Sequence, residues 1–205
     1  MYKIIKLPNQ LEVITAPLSS TKTITVLVMV ATGSRFENLT NSGISHFLEH
    51  LFFKGTTKRP TTLAISSELD RVGGEFNAFT SKEYTGYFVK VEASQLPLAL
   101  DVLSDMLLNS KFETAEIERE KGVIIEELNM YLDNPLIYIE DLFEERLYGN
   151  TPAGRDTIGT KETILKIDRK KILDYAGAQY SSDKMIISLA GGFKPGAIKL
   201  INKYF

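Results

Sequence analysis

Both histidines of this chain fall within five residues, in Ile44-Ser45-His46-Phe47-Leu48-Glu49-His50-Leu51-Phe52-Phe53. The stretch reads as a helix. At about 100° per residue, His46, Glu49 and His50 share one face, while Ile44, Phe47, Leu48, Leu51 and Phe52 cover the opposite side. A helix so apolar is buried, and each imidazole or carboxylate buried without a partner costs roughly 1 to 3 kcal/mol. A bound cation would remove that cost. The alternative is a pair of core histidines satisfied by backbone carbonyls.

The pattern H-x-x-E-H is the inverted form of the zinc-protease helix. Histidines at i and i+4 can clasp one metal through ring nitrogens, with the Glu between them directed at an adjacent water. The chain has no cysteine, so disulfides and thiolate metal sites are excluded. A catalytic zinc usually takes three protein ligands, and without a third histidine the missing one has to be Asp or Glu.

Candidates crowd the run from Glu116 to Leu128, and helical phase narrows them. With Ile117 as zero, Ile124 and Leu128 lie within about 20° and mark the inward stripe. Glu120 and Glu127 fall about 60° and 80° to one side, bracketed beyond by Val123 and Met130, while Glu126 lies about 180° away in solvent. Glu120 and Glu127 are two turns apart, so only one can bind the metal directly and the other would support it. The competing reading has both as ordinary glutamates at the edge of an acidic helix.

The rest of the chain supplies an α+β frame. Tyr2–Leu7 and Leu11–Thr15 read as a hairpin, and Thr23–Ala31 as a buried strand. A second helix, Leu63–Val72, stops at Gly73-Gly74. Strands Glu75–Thr80 and Glu83–Val91 follow around a turn at Ser81-Lys82, with Phe76, Ala78 and Thr80 on one face. Helices are expected over Leu96–Asn109, Glu113 to about Tyr131, from Pro135 through Leu147, and over 161–167 and 169–180; a strand at Lys184–Leu189 and a short helix after Pro195 close the chain. Strands and helices do not alternate as βαβ units, which predicts a largely antiparallel sheet with helices packed on it.

Several ordered motifs resemble the pitrilysin and mitochondrial-processing-peptidase family of zinc metallopeptidases, the inverzincins. They are Gly33-Ser34-Arg35-Phe36-Glu37, the stretch from Gly43 to Thr56, Gly73 through Thr80, Glu120 to Glu127, and Gly154-Arg155 with Gly159-Thr160. Glu127 stands 77 residues after the second histidine, in the family's order. The resemblance implies that His46, His50 and Glu127 bind zinc, that Glu49 is the general base, and that Glu120 supports the site from outside the metal's own coordination sphere. It also implies that Asn77 and Ala78 lie on an edge strand where an extended peptide adds by main-chain pairing. The expected activity is that of a zinc endopeptidase acting on peptides or unfolded segments. The Thr151-Pro152-Ala153-Gly154-Arg155-Asp156-Thr157 loop departs slightly from the family's usual Pro-Leu-Gly-Arg-Pro.

Units of this family usually hold two related domains, and residues 1–205 correspond to one catalytic domain, half of that unit. The family's partner domain contributes an Arg and a Tyr with no nameable counterpart here. The resemblance therefore implies a homo-oligomer, or a partner chain supplying the missing domain. Rival readings are a non-catalytic scaffold or peptide-binding subunit, and a zinc hydrolase acting on a small molecule; the intact His46, Glu49, His50 and Glu127 set argues against the scaffold. A net charge of −2 implies no general attraction to nucleic acid or to anionic membranes. No run approaches the roughly 18 apolar residues of a membrane span, and the N-terminus lacks the pattern of a signal peptide, so the expected location is cytoplasmic.

Overall fold

The computed structural model describes residues 2–205. Strands β1 (Lys3–Lys6) and β2 (Glu12–Pro17) form the expected hairpin, with Lys3 opposite Thr15 and Lys6 opposite Glu12. Strand β3 (Thr23–Val30) alternates, burying Ile24, Val26, Val28 and Val30. Strands β4 (Glu75–Thr80), β5 (Thr85–Glu92) and β6 (Met185–Gly191) complete one sheet in the order β1-β2-β6-β3-β5-β4. The pair β2 and β6 is parallel and the other four neighbouring pairs are antiparallel, so the α+β expectation holds.

The turn between β4 and β5 is wider than the expected Ser81-Lys82. The Ser81 amide donates to the Tyr84 carbonyl at 2.8 Å, and the Ser81 hydroxyl accepts from the Tyr84 amide at 3.2 Å. The side chain thus closes a four-residue turn that a two-residue reading overlooks. The Gly33-Ser34-Arg35 loop packs on this turn, with Arg35 N donating to Lys82 O at 2.8 Å. Gly33 is required there by space, since a Cβ would sit 2.2 Å from the Ser81 carbonyl oxygen.

Helices α1 (Ile44–Phe52), α2 (Thr62–Asp70), α3 (Leu96–Asn109), α4 (Thr114–Leu132), α5 (Pro135–Tyr148), α6 (Lys161–Lys166), α7 (Arg169–Gln179) and α8 (Ala197–Tyr204) match the expected segments to within a few residues. Their starts are capped where the sequence offers Thr61, Asn134, Thr160 and Asp168. The core joins the buried row of β3, β5 and β6 to Phe47, Leu48, Leu51 and Phe52 of α1 and to Leu100 and Leu103 of α3. Phe52 lies edge-on to Tyr87 and Phe112, with ring centroids 5.5 and 5.4 Å away.

The start of α1 is held firmly. Glu37, 5% exposed, accepts from the Gly43 amide at 2.7 Å and the Ser45 amide at 2.8 Å, satisfying two of the helix's free donors. Gly43 takes φ of 90°, and a Cβ there would meet the Ile158 carbonyl at 2.3 Å. The histidine helix is therefore seated on the core by one face and clamped at its first turn.

Candidate metal centre

With its apolar face buried, α1 turns His46, Glu49 and His50 toward α4 and β4. Helix α4 packs its Ile117 and Ile124 inward, and Glu120 and Glu127 follow to the side that meets α1. Glu126 is exposed, as the phase predicts. Val123 and Met130, expected to bracket the carboxylates with apolar surface, are instead 48% and 57% exposed. Glu127 is enclosed by α1 rather than by its own helix.

One oxygen of Glu127, Oε2, lies 3.4 Å from His50 Nε2 and 3.7 Å from His46 Nε2. Donor atoms of all three residues lie within 4.8 Å of one another. Ligands about 2.0–2.1 Å from a tetrahedral zinc stand roughly 3.3 Å apart, so this donor set fits such an ion with small adjustments. The two imidazole rings are 4.6 Å apart at their centroids and inclined at 63°, and the Nε2 atom of each approaches the same Glu127 oxygen.

The supporting bonds are specific. His50 donates through Nδ1 to Glu120 Oε1 at 2.8 Å, which leaves Nε2 as its ligating nitrogen. Tyr131 donates to Glu127 Oε1 at 3.0 Å, and Thr80 donates to Glu49 Oε2. His46 Nδ1 is buried with no hydrogen-bond partner among the described residues. Burial pushes the Glu49 carboxyl above its ordinary range, opposed by the Thr80 bond. Glu127 is held low, chiefly by its bond to His50. Glu120 is also held low, because its bonds to His50 and Lys54 outweigh the effect of burial.

A cavity of about 440 Å³ opens over this point, and its lining includes His46, Glu49, His50, Ala78, Thr80, Glu127 and Tyr131 together with Asp141 and Asp156. Strand β4 is the edge of the sheet on this side. Ala78 faces the cavity, whereas the Asn77 side chain is exposed and its Oδ1 accepts from the Ala78 amide at 2.9 Å. Of the seven residues singled out in the sequence, His46, Glu49, His50, Ala78 and Glu127 line this cavity, Glu120 lies behind His50, and Asn77 is the neighbour of Ala78 on β4. Thr80, Tyr131 and Lys54 were not singled out. Thr80 shares the strand face of Ala78, Tyr131 stands one helical turn after Glu127, and Lys54 one turn after His50.

Fold and motif together define a class, a domain of the pitrilysin and processing-peptidase kind. The chain belongs to the insulinase family, peptidase family M16, whose profile matches residues 12–161. A Bacillus subtilis relative, uncharacterized zinc protease YmxG, is 39% identical over 197 residues, covering 96% of this chain and 48% of the relative. The probable mitochondrial-processing peptidase subunit beta of Arabidopsis thaliana is 40% identical over 192 residues, 94% of this chain and 36% of its own. The crystal structure of a protease from Helicobacter pylori superposes with a TM-score of 0.95 at 28% identity, covering all of this chain and 50% of that one. This chain spans about half the length, or less, of the relatives it matches. Among the described residues no helix is long and apolar enough to cross a membrane.

Proposed function

We propose that residues 1–205 form the catalytic domain of a zinc endopeptidase that hydrolyses peptides or unfolded polypeptide segments. The observation that carries this reading is the convergence of His46, His50 and Glu127 on one metal-sized point, with Glu49 on the same cavity wall. Membership of family M16 and relatives named as zinc proteases support it. When bound, zinc would supply Lewis acidity toward the scissile carbonyl and acidify a water toward a pKa of about 7.

The residues divide the remaining work. Glu49 takes a proton from the attacking water and later delivers it to the leaving amine; its raised pKa suits both transfers. Thr80 holds one Glu49 oxygen, which leaves the other to accept the proton in the cavity that Glu49 lines. The outer edge of β4 pairs with an extended substrate, with Ala78 beneath it and the Asn77 amide competing for the Ala78 N–H that an added strand would use. A second domain, from a partner chain, a second copy or the same polypeptide, closes the other side of the cavity.

Glu49→Gln is expected to retain zinc, measured by metal analysis, and to lose about 10²–10⁴ of peptidase activity. Undiminished cleavage of an unstructured peptide would reject Glu49 as the base. Zinc and peptide binding without turnover, in any assembly state, would indicate a non-catalytic subunit instead.

A further inference from the structure

The carboxylate behind His50 has a second partner. Glu120 is 2% exposed, and while its Oε1 accepts from His50, its Oε2 lies 2.7 Å from the Lys54 ammonium. Lys54 itself is 25% exposed, so the ion pair closes the Glu120 side of the site from the protein's margin. A carboxylate this deep needs both oxygens engaged, because burial of an unpaired charge costs several kcal/mol. Were Oε2 free, rotation of the carboxylate would cost little and the angle at which Oε1 meets His50 would be loosely defined.

Lys54 is in turn held by a rigid loop. Its amide donates to Leu51 O at 3.0 Å, just past the end of α1. Gly55 follows at φ of 128°, where a Cβ would lie 2.5 Å from the Pro60 carbonyl oxygen, and Gly55 O accepts from Lys111 N at 3.2 Å. Thr56 donates to Asp105 Oδ2 at 2.6 Å, and Arg59, 1% exposed, donates to the same oxygen at 2.9 Å. The loop after α1 is thereby fastened to α3, and Lys54 is aimed from a fixed base rather than from a mobile turn.

We propose that Lys54 is a positioning residue of the metal centre: by engaging one oxygen of Glu120 it fixes the other on His50 Nδ1 and so sets the direction of Nε2. The proposal rests on the zinc reading of His46, His50 and Glu127. It assigns the lysine a role in metal affinity without contact to metal or substrate.

The test is zinc affinity by competition with a chelating dye, in Lys54→Met and Lys54→Arg, each also in a Glu120→Gln background. Lys54→Met should weaken zinc binding about 10- to 100-fold, as loss of a supporting group behind a ligand does. Lys54→Arg should restore most of it, and in the Glu120→Gln background Lys54→Met should change little, since the coupling runs through Glu120. NMR of the zinc-loaded protein should show the His50 Nδ1 proton exchanging faster with solvent in Lys54→Met while the core backbone amides exchange as in wild type, which separates a local change from a general loss of stability. Lys54→Gln serves should the methionine variant fail to fold. Wild-type affinity in Lys54→Met, or a loss undiminished by Glu120→Gln, overturns the proposal. Failure of the wild-type protein to bind zinc would instead overturn the metal centre, and the proposal with it.

Discussion

His50 and His46 sit side by side with opposite proton affinities. Burial pulls His50 down, but bonds to Glu120 and Glu127 outweigh it and raise its pKa to about 9. Burial, reinforced by the neighbouring His50, lowers His46 to about 4. The metal-free pair therefore carries one positive charge at neutral pH, on His50, and zinc must displace the proton on its Nε2. Calorimetry at pH 6, below the titration of a zinc-acidified water, in buffers of different ionisation heat should find about one proton released per zinc, from His50; no release at pH 6 would contradict the assignment. For stability of the metal-free protein the signs follow from the ordinary value of 6.5. His50, raised, stabilises below 6.5 and loses that contribution as pH rises through about 9. His46, lowered, stabilises above 6.5 and loses its contribution as pH falls through about 4. The pair thus favours the fold most near pH 6.5, and denaturant titrations in chelator should show this against a variant lacking both imidazoles. Arg59 makes a different prediction: Arg59→Met leaves Asp105, itself 5% exposed, without its guanidinium, and should cost about 3–5 kcal/mol by urea denaturation.

Helix α4 carries its information in its phase. Glu127→Ala should abolish stoichiometric zinc while Glu126→Ala, one residue away on the exposed side, should leave it intact; equal metal content in both would mean the helix is turned the other way. The orientation was legible in the sequence because Ile117, Ile124 and Leu128 leave one choice of inward face. The strands were legible for the same reason, and Thr80 was correctly placed on the face of Ala78. Its bond to Glu49 was not legible, since what lies opposite a strand face depends on where α1 docks, and no local pattern encodes that. Val123 and Met130 show the converse: their apolar side chains suggested enclosure, yet they stand exposed beside a carboxylate that α1 covers. The wide Ser81–Tyr84 turn escaped because a serine hydroxyl closes it, where a two-residue hairpin would have called for glycine.

The molecule as a whole presents a metal-sized point on one wall of a cavity, in residues that span about half the length of the relatives they match. For residues 1–205 taken alone, the proposed second wall of the cavity has to come from another chain, so cleavage measured across a size-exclusion profile with light scattering should peak away from the monomer. Full activity in a strictly monomeric peak would sink that expectation. The sheet order carries a further consequence, for how the chain is made. β6, from near the end of the sequence, is inserted between β2 and β3, from near its start. Without β6 the sheet order divides into two separate ribbons, β1-β2 and β3-β5-β4, and the edges of β2 and β3 have no partner in the sheet. Such long-range pairing folds slowly, on the millisecond-to-second scale, and leaves strand edges able to meet other chains. Every residue of the proposed zinc site is synthesised before the strand that closes the sheet beneath it.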